Sequence, residues 1–144
     1  MFLDQKIYSN GLLRDKKDIP GIEYYTNGWL VIIPNYEFLE KKEEILKFLK
    51  SIFNAIGLDL KDTLILEENF VMYNHIGIIS KYIQLKNILV FGVNTTQIGL
   101  KFALPKYEFF KISSYNLLIA DPLEEIELNV KLKKLLWQAL KEKI

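Results

Sequence analysis

Three short apolar runs constrain the fold of this sequence more than any other feature. They are GWLVIIP at 28–34, NILVFGV at 87–93 and YNLLIA at 115–120. A strand with one buried face alternates apolar and polar residues, whereas a strand covered on both faces is apolar throughout. We therefore expect these runs to be central strands of a sheet with helices on both sides.

Two further runs have strand character. DTLILEE at 62–68 predicts a second buried strand, and YEFFKI at 107–112 lies just before the last of the three apolar runs. Ser113-Ser114 either joins these last two segments by a tight turn or forms a bulge within one continuous strand.

Three segments predict helices. EFLEKKEEILKFLKSIFNAIG repeats apolar residues on one helix face, and its final Gly57 is a typical C-terminal stop. Residues 69–85 predict a second helix. Asn129 is a favourable N-cap for a last helix that reaches Lys141 or beyond. This order of strands and helices predicts a three-layer α/β/α sandwich with a largely parallel central sheet.

The first 27 residues differ from the rest of the chain. They are polar, contain SNG at 9–11 and PG at 20–21, and lack sustained periodicity. This pattern predicts an N-terminal arm at 1–27 that contains at most one short strand. Residues 28–144 then form a single α/β domain. A chain of 144 residues buries about 70% of the surface that its unfolded form exposes.

The composition argues against several classes of function. The chain has no cysteine and one histidine, His75, which argues against thiolate chemistry, an imidazole relay and a metal site. The loop from Gly92 to Gly99 lacks the Gly-Lys-Ser/Thr of a phosphate-binding loop. We expect no cofactor and no small-molecule substrate. We also expect a cytoplasmic protein without membrane contact, because no apolar run has the length of a membrane span or a signal peptide.

The charge of the chain is uneven although its net charge is only +1. Between Glu68 and Asp121 the only acidic residue is Glu108, whereas the basic residues of this stretch are Lys81, Lys86, Lys101, Lys106 and Lys111. These lysines predict either an ordinary solvated surface or a weak contact with nucleic acid.

Candidate catalytic groups are few. Open α/β sheets place their sites beyond the carboxyl ends of the strands, where this chain has Glu67, Glu68 and Asp121. These carboxylates are candidates for a general acid or a general base in catalysis. Each also precedes a predicted helix, whose N-terminus favours negative charge for structural reasons alone.

The last helix has two apolar stripes. Its core face is predicted to consist of Leu132, Leu135, Leu136, Ala139 and Leu140, and a second stripe of Val130, Trp137 and Ile144 lies beside it at a spacing of seven. Either the domain engulfs this helix, or Trp137 marks a contact with another protein, since tryptophan is enriched at interface hot spots.

The sequence resembles the psi subunit family of bacterial DNA polymerase III. The resemblance rests on GWLVIIPN, on NILVFGV and above all on LLIADPLEEIELNVKLKKLLWQALKEKI, in which a strand, a proline-containing bend and a closing helix with Leu-Trp-Gln follow in the family's order. In the order of its elements the resemblance spans residues 28–144. Similarity of the amino acids themselves is confined to the last thirty residues.

The resemblance implies a fold and a set of partners. The fold is that of the uracil-DNA glycosylase superfamily, and the function is that of a non-catalytic adaptor in DNA replication. Psi proteins link the clamp loader, through an N-terminal arm, to the chi subunit, which holds single-strand-binding protein. In this arm Tyr8, Leu12, Leu13 and Arg14 are the implied anchors.

The same resemblance implies that a catalytic site has been lost. Active members of the superfamily carry a water-activating Asp or Asn after the first strand and a histidine after the last. Asn35 stands in the first place here, and Asp121 stands where the histidine would be. Two alternatives remain open at this stage. One is a divergent DNA-base glycosylase that uses Asn35 and Asp121, and the other is a protein-interaction module unrelated to replication.

Overall fold

The computed structural model of the protein describes residues 13–101 and 103–143. Five strands form one sheet, and their bounds are β1 Trp29–Ile33, β2 Leu64–Glu67, β3 Asn87–Phe91, β4 Phe110–Ile112 and β5 Tyr115–Ala120. Their order across the sheet is β2-β1-β3-β5-β4. β2, β1, β3 and β5 pair in parallel, and β4 pairs with β5 in the antiparallel sense. The predicted α/β class with a largely parallel sheet is confirmed.

The link between the last two strands is a tight turn. Ile112 pairs with Tyr115, so that only Ser113 and Ser114 separate β4 from β5. Ser113 takes a positive φ of 56°. The alternative of a bulge within one continuous strand is therefore wrong.

The helices flank this sheet. The α-helices are α1 Leu39–Ala55, α2 Glu68–Tyr73, α3 Ile76–Ile79, α4 Leu123–Glu127 and α5 Val130–Leu140. Short 3-10 helices occupy Lys16–Asp18, Ile22–Tyr24, Leu60–Asp62, Thr95–Ile98 and Lys141–Lys143. Among the helices of residues 13–101 and 103–143, none combines the length and the hydropathy needed to cross a membrane.

Both faces of the sheet are covered. Successive side chains of a strand point to opposite faces, so the buried run of β1 divides between two clusters. Leu30 and Ile32 pack with α2 and α3 on what we call the α2 face. Val31 and Ile33 pack with α1, α4 and α5 on what we call the α1 face. The described elements thus form three layers with the sheet in the middle.

The prediction of one continuous helix over 69–85 is wrong, because the helix is interrupted between α2 and α3. Asn74 is 2% exposed, and its side-chain oxygen accepts a hydrogen bond of 2.6 Å from the backbone N–H of Leu13. His75 follows with an extended ψ of 155°. This break redirects the chain so that Ile76 and Ile79 enter the core. A tertiary hydrogen bond and burial outweigh local helix propensity here.

The described part of the predicted arm, residues 13–27, packs on the domain. Ile19 is 1% exposed within the α2-face cluster, and the partly buried Leu13, Ile22 and Tyr25 pack against it. Two 3-10 helices form here in place of a strand. The stretch has too few apolar residues to show a period, yet most of them cover the α2 face, whereas Tyr24 is exposed.

Two of the residues proposed as arm anchors can be placed. Leu13 is packed against the core and Arg14 is exposed. Tyr8 and Leu12 lie outside the described residues.

We expect Ile19→Ala to lower the free energy of unfolding by about 2–5 kcal/mol, because it opens a cavity beneath the α2 face. Urea denaturation followed by circular dichroism measures the loss. Ile78→Ala is the matched control, since Ile78 is 40% exposed and its truncation should cost less than about 1 kcal/mol. Equal small losses in both variants would show that residues 13–27 contribute nothing to the core.

Candidate functional site

The carboxyl ends of the parallel strands meet at one edge of the sheet. The chain passes from β1 to β2 on one side and returns to β3 on the other, so the strand order reverses between β1 and β3. Open α/β sheets bind ligands outside the carboxyl ends of the strands at such a reversal. This edge is therefore the first region to test for chemistry.

Asn35 follows β1 at this edge and holds a neighbouring helix. Its side-chain oxygen accepts a hydrogen bond of 2.8 Å from the backbone N–H of Asn69, in the first turn of α2. The first N–H groups of a helix lack partners within the helix. In this structure the side chain of Asn35, predicted as part of a lost catalytic site, thus caps α2.

Asp121 follows β5 and lies in a network of three side chains. Its carboxylate accepts hydrogen bonds from Lys106 Nζ at 2.6 Å and from the Tyr107 hydroxyl at 2.7 Å. The Asp121 side chain is only 16% exposed. Burial opposes its ionisation, but the bonds from Lys106 and Tyr107 and the charge of Lys106 outweigh burial and hold the pKa of Asp121 below its ordinary value. Asp121 is therefore a fixed anion with its partners already bound.

Tyr107 completes this network from the other side. Burial raises the pKa of Tyr107, and its hydrogen bond to the negative Asp121 raises that pKa further. Its φ of 62° is unusual for a residue with a side chain. The backbone N–H of Tyr107 donates to the carbonyl of Ile119 at 2.8 Å, which fixes the loop before β4 against β5.

The space in front of β3 is filled. Gly92 has a φ of 64°, and a Cβ placed on it would lie 2.9 Å from the Cα of Pro122. Only glycine permits this close approach of two backbone segments at a positive φ. The contact closes the edge between the ends of β3 and β5.

Two further polar pairs occupy the same edge. The Tyr36 hydroxyl donates to Glu124 at 3.0 Å, and Lys42 forms an ion pair with Glu67 at 2.9 Å. Burial raises the pKa of Tyr36, and its bond to Glu124 adds to that shift. Of the predicted carboxylates, Glu67 and Asp121 are thus paired with lysines, and Glu68 is the first residue of α2.

Asn35 and Asp121 are not brought together. β3 lies between β1 and β5, so their strands are two spacings apart, about 10 Å. Within residues 13–101 and 103–143 no cluster of three or more metal-ligating side chains occurs. Asn35, Glu67 and Asp121 at this edge are each engaged in a hydrogen bond or an ion pair.

A second region lies on the α1 face, between α1 and α5. The two helices leave an open groove of about 200 Å³, which we call the α1–α5 groove. Its lining residues are Phe48, Ser51, Ile52, Ala55, Ile126, Lys133, Leu136, Trp137 and Leu140. The short side chains of Ser51 and Ala55, one turn apart on α1, leave room opposite Trp137.

The exposure of α5 bears on the prediction that the domain engulfs this helix. Trp137 is 38% exposed and Val130 is 80% exposed, so the domain does not engulf this helix. Leu136 and Leu140 are buried as predicted, whereas Leu135 is 37% exposed and does not belong to the core face. Ile144, the third member of the stripe, lies outside the described residues.

The sequence did not predict α4, and it did not predict that residues of α1 line a groove with Trp137. Phe48 and Ser51 come from α1, nearly ninety residues before Trp137 in the chain, and no local pattern ties them to Trp137. α4 begins after Pro122 and buries Leu123 and Ile126. The signal for α4 was present, since a proline followed by acidic residues is typical of a helix start.

The five lysines of 81–111 do not form one basic face. Lys106 is paired with Asp121 at the carboxyl edge of the sheet. The side chain of Lys86 packs over Gly28, which precedes β1 at the opposite edge. Lysines that lie close together in the sequence are therefore found at opposite edges of the sheet.

No protein-family model matches this chain, and a search of curated proteins finds no significant match. The geometry of the two regions described above is accordingly the basis of the functional proposal.

We expect Asp121→Asn to lower stability by about 1–2 kcal/mol at neutral pH, because the amide loses the ion pair with Lys106. The pKa of Asp121 is depressed in the folded state, so its contribution is present above the ordinary value of 3.8 and is lost as the pH falls through the folded pKa. The stability difference between wild type and variant should therefore shrink below about pH 4.

Chemical denaturation of both proteins between pH 3 and pH 8 measures this difference. Glu127→Gln, which makes the same change of charge at an exposed carboxylate of α4, is the control. A constant difference across the range would contradict a depressed pKa for Asp121.

Proposed function

We propose that this protein is a non-catalytic adaptor that acts through protein contacts, of the kind found in the psi subunit family of DNA polymerase III. The observation that carries the proposal is the exposure of Trp137 beside the open α1–α5 groove. A large aromatic side chain next to an apolar groove is a typical anchor for a protein partner.

The state of the carboxyl edge supports a non-catalytic role. A general acid or base needs a side chain free to meet the substrate. Asn35 is engaged with α2 and Asp121 with Lys106 and Tyr107. Pro122 occupies the space in front of Gly92. A flipped base would have to displace several of these contacts before any group could act on it.

The placement of the two predicted contact regions supports a bridging role. Leu13, where the first twelve residues join the domain, packs on the α2 face. Trp137 lines the groove of the α1 face, on the other side of the sheet. Partners held at these two places would not compete for the same surface. We propose that these partners are clamp-loader and chi-like subunits, on a scaffold of the uracil-DNA glycosylase type.

The three-layer arrangement of the described elements is compatible with that scaffold. A shared fold does not by itself determine function. The test of the adaptor role is therefore a binding experiment with named partners.

We expect the purified protein to capture clamp-loader or chi-like subunits of its source cell and Trp137→Ala to lower the captured amount by about tenfold or more. Leu135→Ala is the matched control, because Leu135 is 37% exposed on α5 and Trp137 is 38% exposed. Affinity purification with mass-spectrometric identification measures the result. Failure to capture any replication subunit would leave the alternative of an interaction module unrelated to replication.

We expect Asn35→Ala to lower the free energy of unfolding by about 1 kcal/mol through the lost cap of α2. We expect neither the wild type nor this variant to release uracil from a uracil-containing DNA duplex. Thermal melting and a base-release assay measure the two quantities. Turnover by the wild type that Asn35→Ala abolishes would replace the adaptor by a divergent DNA-base glycosylase.

A further inference from the structure

We propose that the α1–α5 groove binds an extended acidic segment of a partner protein, with an apolar residue between two carboxylates. This inference deepens the proposed function and rests on the groove being a surface for protein contact. It specifies the chemistry of the occupant, which the adaptor role leaves open.

The interior of the groove suits an apolar side chain. Ile52, Leu136 and Leu140 line it, and Ser51 and Ala55 are too short to fill it. The Ser51 hydroxyl already donates to the carbonyl of Phe48 at 2.6 Å and so presents little unmet polarity. An aliphatic or aromatic side chain of a partner would therefore gain from burial here.

The charge along the groove is positive. Lys133, Trp137 and Lys141 follow one another at a spacing of four residues, the first two on α5 and Lys141 at its C-terminal cap. Lys133 Nζ lies 5.9 Å from the centre of the Phe48 ring, and Lys141 Nζ lies 5.8 Å from that of Trp137. Among the ion pairs of the described residues, none involves either lysine.

Within α5 and the 3-10 helix that follows it, acidic residues do not cancel this charge; the acidic residues beside the lining residue Ile126 are Glu124, Glu125 and Glu127 of α4. From Asn129 to Lys143 the acidic residue is Glu142, whereas the basic residues are Lys131, Lys133, Lys134, Lys141 and Lys143. The α1 residues that line the groove are uncharged. A partner that carries carboxylates would thus meet complementary charge at this surface.

The spacing of the two lysines specifies the shape of the partner. Eight residues of helix separate Lys133 from Lys141, which corresponds to about 12 Å along the axis. In an extended segment, residues i, i+2 and i+4 share one face, and i and i+4 lie about 13 Å apart. The pattern acid-x-apolar-x-acid therefore places a carboxylate near each lysine and its apolar residue over the groove.

Two other occupants fit the charge less well. A second copy of the chain docked at the same place by a two-fold axis would oppose lysine to lysine. The first twelve residues contain one acid, Asp4, and one base, Lys6, so they do not supply two carboxylates. They also join the domain at Leu13 on the α2 face, away from the groove.

The test uses the full chain and two fluorescein-labelled peptides, Gly-Asp-Ser-Leu-Ser-Asp-Gly and the same peptide with lysine in place of both aspartates. Fluorescence anisotropy measures binding at low and high salt. We expect the acidic peptide to bind at least about tenfold more tightly than the basic one, with an advantage that falls as salt rises.

Charge reversal locates the site. We expect Lys133→Glu with Lys141→Glu to reverse the preference between the two peptides. Lys81→Glu with Lys111→Glu makes the same change in net charge at exposed lysines outside α1, α4 and α5 and should leave the preference unchanged. If the reversed protein melts at a much lower temperature, Lys133→Gln with Lys141→Gln replaces it and should abolish the preference.

Three results would overturn the proposal. The first is equal binding of the acidic and basic peptides, and the second is a preference that survives the change of both lysines. The third is occupation of the groove by the protein itself. If a second copy of the chain fills the groove, light scattering will show a dimer that is lost in Trp137→Ala. If residues 1–12 fill it, their deletion will raise the peptide affinity about tenfold.

The outcome is separable from that of the adaptor role. If replication subunits are captured through Trp137 while neither peptide binds, the adaptor stands and the acidic segment is wrong. If the acidic peptide binds through Lys133 and Lys141 while no replication subunit is captured, the groove chemistry stands and the replication role is wrong.

Discussion

Burial of the central strands on both faces is the constraint on which the rest of this structure depends. Every residue of β1 is buried, and β3 and β5 are buried over most of their length. A sheet of this kind needs a covering layer on each face, and a chain of 144 residues has few residues outside the sheet to form them. The α2 face is therefore covered with short pieces, among them α2, α3 and the segment around Ile19. The α1 face receives the two long helices, α1 and α5.

The carboxyl edge of the sheet shows how a position suited to catalysis can serve stability instead. The network of Lys106, Tyr107 and Asp121 joins the loop before β4 to the end of β5. The contact of Gly92 with Pro122 joins the end of β3 to the start of α4. These contacts satisfy polar groups that would otherwise be exposed at the ends of buried strands.

The outer surface of the α1 face has the opposite character. α1 and α5 bury one face each in the core, but they do not close against each other, so Trp137 stays partly exposed beside Ser51 and Ala55. Lysines stand over the aromatic rings at this groove. Contiguous exposed apolar surface on a folded domain often marks an interaction site. In the proposed adaptor role, a partner would be recognised at this groove rather than at the carboxyl edge of the sheet.

The sequence by itself determined the sheet and the longest helices, because uninterrupted apolar runs, a helical repeat before Gly57 and an N-cap at Asn129 are local signals. It also identified Trp137 as the unusual residue of α5. Only the tertiary structure decided that the helix of 69–85 breaks at Asn74, since the deciding hydrogen bond comes from Leu13. Only the tertiary structure, likewise, tied Asp121 to Lys106 and set Trp137 opposite Ser51. Such pairs are distant in sequence, and their energies depend on which elements pack together, which no local pattern encodes.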